Sequence, residues 1–286
     1  MISPLDPFGF GQPGFDRHAR TFEALPANLG GLVVAITGAN SGLGLAATRA
    51  LAARGATVWM LCRDLARGEA ARANLLGPGA TGDTRVARLD VSDFDSVRAL
   101  AIPTPDVLVH NAGQLASSRE DVTWRGAPLE RTVATHVVGP WALGHHVRAA
   151  TTIWVSSGGM YTQRLDVPAT FEPPAPFDGV VAYARCKRAQ LVIARHLGQQ
   201  VMHPGWADSP GVETSLPRFH ALTKRILRTP EAGADTIVWL AATRPAARGF
   251  WFDRGRAPEH VFPWTRNTPK AEEPLLARLR ALTGVG

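Results

Sequence analysis

The sequence has little cysteine and no long apolar run. Cys62 and Cys186 are its only cysteines, too few for a disulfide framework or a cysteine metal site. We therefore expect no metal, two small buried residues and a reducing, cytoplasmic setting. No segment approaches the roughly 18–20 apolar residues of a membrane span, and residues 1–14 do not have a signal-peptide pattern. The net charge of +7 comes from dispersed arginines rather than a basic run, so we expect no nucleic-acid partner.

Tyrosine and lysine are also scarce. The chain has two tyrosines and three lysines against 28 arginines, yet Tyr183 and Lys187 stand four residues apart. On a helix this spacing places both side chains on one face. An ammonium there lowers the pKa of a phenol from about 10 towards neutrality, so that Tyr183 can exchange a proton with a substrate. An arginine does not replace a compact ammonium freely, and the pair therefore indicates an enzyme.

Strands alternate with helices along most of the chain. Short apolar runs predict strands. After each of the first two strands, apolar residues at helical spacing predict a helix that ends at a glycine or proline. The alternation indicates an α/β fold with one doubly wound parallel sheet of about seven strands and helices on both faces. The predicted strands cover residues 32–37, 56–61, 85–89, 106–110, 151–155, 200–202 and 249–252, and the two helices residues 43–54 and 64–76.

Three regions are less regular. Residues 161–180 are rich in proline and are predicted to form a surface loop over a pocket. Residues 208–230 are either a mobile lid or a peripheral amphipathic helix. We divide the chain into an N-terminal extension (1–30), a catalytic domain (31–257) and a C-terminal tail (258–286), the last proline-rich and then helical.

A glycine-rich turn lies between the first strand and the first helix. It reads Thr37-Gly38-Ala39-Asn40-Ser41-Gly42-Leu43-Gly44. In this context Gly38 permits a tight turn, Gly42 lets the backbone approach a phosphate, and Gly44 allows close packing of the helix. The helix N-terminus then presents free N–H groups to the pyrophosphate of a dinucleotide. The alternative is a simple strand-to-helix turn.

Residues after the second and third strands predict the cofactor. Arg63 follows the second strand, where arginine suits a ribose 2′-phosphate and a carboxylate suits a free hydroxyl. NADP(H) is therefore favoured, with NAD(H) as the alternative. Asp64 fits better as the N-cap of the next helix. Asp90, with Val91 beside it, is either an adenine contact or another cap.

The chain resembles the short-chain dehydrogenase/reductase family. The resemblance is carried by the glycine-rich turn, Asn111-Ala112-Gly113, Ser156-Ser157, Tyr183-x-x-x-Lys187 and Pro204-Gly205, in the order that the family has them. Further segments resemble one subgroup of that family through most of the chain, the N-terminal extension included. They are residues 15–21, 156–160, 176–179, 203–208, 210–212 and 233–236.

The resemblance implies a Rossmann-like fold and assigns roles to individual residues. Tyr183 would be the acid or base in hydride transfer, Ser157 would hold the substrate oxygen, and Lys187 would lower the pKa of the phenol and hold the nicotinamide ribose. Asn111 would close the sheet against the cofactor. The remaining expected cofactor contacts are Ala112, Gly113, Pro204, Gly205 and Ser209. Tyr161 has no lysine partner and is expected to be a pocket wall.

Two departures from the family pattern bear on activity. His136 stands three residues before Gly139, where the family has an asparagine, and it is either a fourth catalytic residue or an ordinary helix residue. The segments between Asp95 and Asp106 and between Lys187 and His203 are short, which predicts shortened crossover helices and reduced stability.

We expect an NADP(H)-dependent oxidoreductase that transfers hydride between the nicotinamide and a small apolar carbonyl or alcohol. Apolar walls are expected around Phe171, Phe177 and residues 216–219. The alternative is a non-catalytic NADP(H)-binding protein that acts as a redox sensor or scaffold. A sugar-nucleotide epimerase fits less well, because the chain leaves little room for a substrate domain. The resemblance also implies that two chains pair through the helices beside the site, so a homodimer is considered.

Overall fold

The main element of the fold is an eight-stranded sheet. The computed structural model describes residues 9–75, 82–207, 224–267 and 269–286, and all structural statements concern these ranges. The sheet strands are β1 Val33–Thr37, β2 Thr57–Cys62, β3 Asp83–Arg88, β4 Val107–His110, β7 Thr151–Val155, β8 Gln200–Met202, β9 Phe250–Phe252 and β10 Gly255–Arg256, while β5 Asp121–Trp124 and β6 Ala127–Glu130 pair separately. The strand order is β10-β9-β8-β7-β4-β1-β2-β3, with every pair parallel except β9 and β10.

Strands β4 and β7, at the centre of the sheet, are buried along their whole length because helices cover both faces of the sheet. Val107–His110 and Thr151–Val155 are buried at every position, as expected for parallel strands. β1 has β2 on one side and β4 on the other, so the order of strands reverses at β1. In such sheets ligands bind at the carboxyl ends of the strands beside this reversal.

Helices lie on both faces, and their apolar residues form two clusters, one on each side of the sheet. Regular helices connect most strands, and short 3₁₀ turns occupy Gly158–Thr162 and Pro263–Thr265. A π-helix, Ala134–Val138, joins α5 to α6. The α-helices are α1 Gln12–Ala19, α2 Gly42–Ala52, α3 Leu65–Ala73, α4 Phe94–Ala99, α5 Arg131–Val133, α6 Gly139–Val147, α7 Val167–Phe171, α8 Gly179–His196, α9 Pro230–Thr243 and α10 Pro269–Thr283.

The α/β class and the doubly wound parallel sheet are confirmed, with corrections of detail. Each of the seven predicted strands is present within two residues of its predicted bounds. The prediction missed β10, which adds an eighth, antiparallel strand, and the β5–β6 hairpin. Residues 161–180 are not one loop, since they include α7 and the start of α8. Residues 208–223 lie outside the described ranges, so most of the predicted lid or amphipathic helix lies there too.

The prediction of shortened crossover helices holds at one of the two places. α4 has only six residues. α8 has 18 residues and extends nine residues past Lys187, so the prediction of a shortened helix there is wrong. Asp178 explains the error: its carboxylate caps α8 by accepting from the N–H groups of Val180 and Val181. The helix therefore begins before Tyr183, and the short segment after Lys187 is only its second half.

The C-terminal helix packs against the body of the domain. Leu275 and Leu279 of α10 are fully buried. Trp124 donates its indole N–H to the Leu282 carbonyl at 3.2 Å, and Trp141 donates to the Val285 carbonyl at 3.2 Å. The end of the chain is thereby tied to the β5–β6 hairpin and to α6.

Both cysteines are buried and unpaired, as expected. Among the residues that the structure describes, none of the helices is long and apolar enough to cross a membrane. The same residues contain no cluster of side chains suited to a metal ion.

Candidate active site

The glycine-rich turn connects β1 to α2 at the carboxyl edge of the sheet. Gly38 has φ +66° and Gly42 has φ +52°, backbone conformations that favour glycine. A Cβ added at Gly44 would lie 2.6 Å from both Nδ2 of Asn111 and the Gly38 carbonyl oxygen. Gly44 is therefore needed for close packing, as predicted, whereas a Cβ on Gly42 would meet nothing within 4 Å.

Thr37 and Asn111 tie the ends of β1 and β4 together. The Thr37 hydroxyl accepts from the N–H groups of Asn111 at 3.0 Å and Ala112 at 2.9 Å, and donates to the Val109 carbonyl at 3.2 Å. The Asn111 amide donates to the carbonyls of Thr37 at 2.9 Å and Gly38 at 3.3 Å. These bonds fix the shape of the turn, so that its N–H groups are pre-arranged.

The turn fits the pyrophosphate of a dinucleotide. Ser41 is the N-cap residue of α2, and its hydroxyl makes no capping hydrogen bond. The first N–H groups of a helix have no partner within it and attract an anion. Space above Gly42 and an uncommitted N-terminus therefore suit a phosphate, with Asn40, Ser41 and Leu43 supplying the groups of the turn.

The residues expected to select the cofactor follow β2 and β3. Arg63 directly follows β2 and is exposed. Asp64 caps α3, accepting from the Arg67 N–H at 3.0 Å, as predicted. One carboxylate oxygen of Asp90 accepts from the N–H and hydroxyl of Ser92, which is the capping alternative. Val91 is buried, and its carbonyl lies 1.8 Å from the position of a Cβ added at Gly139.

Tyr183, Lys187 and Ser157 meet at the carboxyl end of β7. Both Tyr183 and Lys187 lie on α8, with the Lys187 ammonium 5.3 Å from the centre of the Tyr183 ring. Lys187 is 3% exposed and donates to the Val155 carbonyl at 2.7 Å. Ser157 hydrogen-bonds the Tyr183 phenol, which lowers the pKa of that phenol, and its hydroxyl also accepts from the Gly159 N–H at 3.2 Å.

Burial dominates the ionisation of this group of residues. It raises the pKa of Tyr183 to about 12, against the lowering effect of Ser157. It lowers the pKa of Lys187 to about 7, because a charged ammonium loses its hydration there. Ser157, rather than Lys187, lowers the pKa of the phenol, and the lowering expected from Lys187 stays a prediction.

His136 lies in the π-helix and is fully buried. Its ring is 5.1 Å from the Tyr183 ring, edge to face, and its Nε2 is bonded to the backbone of Gln114. Its carbonyl accepts from Gln190 at 2.7 Å. Burial, and secondarily Lys187, lowers the pKa of His136 to about 3. The ring is therefore neutral where it packs edge to face against Tyr183.

Pro204 and Gly205 follow β8. Gly205 has φ +74° and donates its N–H to Nδ1 of His203 at 3.3 Å. Gly113, after β4, packs against His136, whose Cε1 lies 2.7 Å from the position of an added Cβ. Ser209 lies outside the described residues.

A cavity of about 430 Å³ opens beside the start of α8. Phe177 lines it, as predicted, whereas Phe171 is buried in the core, and residues 216–219 fall outside the described ranges. The carboxylate of Asp178 is engaged as the cap of α8. The walls are Leu115, Ala116, Ser117, Pro176, Phe177, Asp178, Gly179 and Val180.

Sequence reasoning missed the groups that hold the candidate catalytic residues. The Val155 carbonyl orients Lys187, and Gln114 and Gln190 hold His136. No motif marks these contacts, because each of the three hydrogen bonds uses a backbone atom. Tyr161 is 5% exposed and donates to the Pro258 carbonyl at 2.9 Å, so it is a wall residue as expected.

The sheet, the glycine-rich turn and the Ser157/Tyr183/Lys187 group define a nucleotide-binding oxidoreductase class. A family model described as the NAD dependent epimerase/dehydratase family matches residues 34–204. The chain belongs to the short-chain dehydrogenase/reductase family.

Among relatives, the chain is similar to dehydrogenase/reductase SDR family member 12. It is 34% identical to the Bos taurus protein, over 94% of this chain and 92% of that one, and 34% identical to the Homo sapiens protein, over 89% and 87%. A solved structure titled a putative uncharacterized protein from Mycobacterium Paratuberculosis is 25% identical, with a TM-score of 0.71 and coverage of 91% of this chain and 96% of that one. The expected resemblance is thereby confirmed.

Proposed function

We propose that this protein is an NADP(H)-dependent oxidoreductase that transfers hydride between the nicotinamide and a carbonyl or alcohol, with Tyr183 as the acid or base. The observation that carries the proposal is the meeting of Tyr183, Lys187 and Ser157 at the carboxyl edge of the sheet. The pyrophosphate-binding turn opens on the same edge, two strands away.

The cofactor would be held by the turn from Gly38 to Gly44, by the loop of Asn111, Ala112 and Gly113, and by Pro204, Gly205 and Ser209. Two solved short-chain enzymes of similar fold, each under 25% identical, are titled with NADP and with NAD, so a nicotinamide is supported and Arg63 carries our choice of NADP(H). The bound nicotinamide supplies or accepts the hydride.

The ionisation of Tyr183 favours reduction. With a pKa of about 12, the phenol stays protonated at physiological pH and can give its proton to a carbonyl oxygen. Ser157 donates a hydrogen bond to the same oxygen as negative charge develops. Lys187 adds positive charge below Tyr183 when protonated, while its bond to Val155 fixes its position.

The cavity beside α8 supports a small apolar substrate. Its lining includes Leu115, Pro176, Phe177 and Val180, and the one carboxylate, that of Asp178, is engaged in capping. Such a site selects by shape and apolar contact rather than by ionic anchoring.

A non-catalytic NADP(H)-binding protein remains the second candidate. The observation that favours it is His136: the ring is fully buried, and its carbonyl already accepts from Gln190. The ring is therefore closed to a substrate. The catalytic proposal therefore depends on Ser157, Tyr183 and Lys187, with His136 as a support.

The cellular setting is proposed from the cysteines. Cys62 and Cys186 are both buried and free, which fits the reducing cytoplasm.

The test is NADPH oxidation with a panel of aldehydes and ketones, comparing the natural chain with Tyr183→Phe. We expect kcat to fall by about 10²–10⁴-fold, because the proton donor is lost. The Kd for NADPH should stay within about threefold, a smaller change than the loss of one hydrogen bond would cause. Binding of NADPH without turnover of any substrate by the natural chain would favour the non-catalytic candidate.

A further inference from the structure

The N-terminal segment Gly9–Gly11 lies between the loops that follow β7 and β8. Phe10 stacks on His203 at 5.3 Å and on Trp206 at 5.9 Å between ring centres. Its carbonyl accepts from the Trp206 N–H at 2.8 Å. The segment is therefore joined to the loop that carries Pro204 and Gly205.

The same ring reaches the catalytic serine's neighbour. A Cβ added at Gly158 would lie 3.6 Å from the Phe10 ring, so the ring lies beside Gly158. Gly158 directly follows Ser157. Phe10 thus closes the space between the residue that holds the substrate oxygen and the loop after β8.

A buried arginine holds the segment in place. Arg228 is 1% exposed and donates to the carbonyls of Gly9 at 2.9 Å and Phe10 at 2.9 Å. Asp253, 2% exposed in its side chain, accepts from the same guanidinium at 2.5 and 2.8 Å. His18, on α1, contacts Asp253 at 2.7 Å.

This arrangement is costly unless every group is paired. Burial of a guanidinium and a carboxylate loses their hydration, which is offset only when both are fully hydrogen-bonded. The carbonyls of residues 9 to 11 complete the pairing of Arg228. The segment is therefore a fixed part of the wall.

We propose that Phe10 is a specificity-determining residue, which limits the size of the substrate on the β8 side of the site. This inference rests on the proposed function. Phe10 also lines a small pocket with Tyr161, His203 and Phe252. Removal of the Phe10 ring enlarges the site next to Ser157 without changing the glycine-rich turn.

The kinetic test uses Phe10→Ala and Phe10→Trp in the full chain, with 4-phenyl-2-butanone and 2-butanone as substrates. The measured quantity is kcat/KM for the larger ketone divided by kcat/KM for the smaller one. We expect Phe10→Ala to raise this ratio about tenfold and Phe10→Trp to lower it. Phe22→Ala is the matched control, because Phe22 contacts Phe15 and Arg254, and it should leave the ratio unchanged. Partial unfolding lowers the rates for both ketones equally, so a change in the ratio measures a change in the size of ketone that the site accepts.

A second measurement separates failure of this inference from failure of the proposed function. 4-Fluorophenylalanine is placed at position 10 in one sample and at position 22 in another, and ¹⁹F spectra are recorded with NADP⁺ and saturating 4-phenyl-2-butanone. A shift at position 10 alone supports the inference even if the enzyme turns over neither ketone. No change at position 10, or equal changes at both positions, overturns it.

Discussion

Lys187 illustrates how a single residue gains its properties from position. Its ammonium is enclosed at the end of β7 and bonded to the Val155 carbonyl, and burial brings its pKa to about 7. Near neutral pH the side chain is thus present in both forms. An arginine at this place would keep its charge and would not fit the single carbonyl in the same way.

In the proposed function, Arg63 is the residue that selects NADP(H). We expect Arg63→Asp to raise the Kd for NADPH about tenfold or more, because a charge-assisted hydrogen bond contributes about 1.5–3 kcal/mol. The Kd for NADH should change less than about threefold, since it has no 2′-phosphate. Fluorescence titration with both cofactors measures this.

Arg20→Asp is the control for that substitution, because it makes the same change in net charge at the end of α1. It should alter neither Kd. Equal losses of NADPH and NADH affinity in Arg63→Asp would contradict the assignment of Arg63 to the 2′-phosphate.

At the scale of elements, α6 must approach the loop after β3 very closely. A Cβ added at Gly139 would overlap the Val91 carbonyl oxygen at 1.8 Å, whereas one added at Gly144 would be 3.5 Å from His110. Both glycines are in the same helix, so they form a matched pair.

We predict opposite effects of alanine at these two positions. Gly139→Ala should lower the free energy of unfolding by about 2–3 kcal/mol through overpacking. Gly144→Ala should leave it unchanged or raise it by up to about 1 kcal/mol, because alanine favours a helix. Urea unfolding measures both, and a stable Gly139→Ala protein would show that the contact of α6 with Val91 is wrong.

Sequence patterns predicted the regular strands and helices. They also indicated the residues whose type and spacing suggest a chemical role. The strands β1, β4 and β7 could be recognised because each holds a short, mostly apolar run, and Tyr183 and Lys187 because both residue types are scarce. β10 has two residues and carries no periodic signal. The π-helix and the Arg228–Asp253 pair depend on tertiary contacts, which no local pattern records.

At the scale of the whole molecule, three buried histidines among the described residues make the stability sensitive to acid. Burial lowers the pKa values of His110, His136 and His203 to about 3. Unfolded chains bind protons at histidine near pH 6.5. The unfolded state therefore binds more protons between pH 6.5 and 3, and the free energy of unfolding falls as the pH is lowered through that range.

Each of the three histidines should contribute up to about 1.4 kcal/mol per pH unit within that window. Urea unfolding at pH 8, 6.5, 5.5 and 4.5 checks the slope. His110→Phe, in which a ring still packs on Trp154, should remove about one third of the histidine contribution. His196→Gln, at the exposed end of α8, should not; equal slopes in the two variants would contradict this origin.

The C-terminal helix also bears on assembly. α10 contacts α8, the helix that carries Tyr183, and Arg195 of α8 forms an ion pair with Glu272 of α10. A homodimer that pairs through α8 would have to include α10 in its interface.

The π-helix around His136 has a consequence for how the length of this chain can vary. It holds one more residue than an α-helical turn would. Loss of one residue from Ala134–Val138 would restore a continuous α-helix and leave α6 facing Val91 nearly as before, because five π-helical residues turn the chain about as far as four α-helical ones. The change would fall within the bulge, at His136 and its contacts with Gln114 and Gln190. Natural variants that are one residue shorter here are therefore expected to keep the fold and to differ at His136.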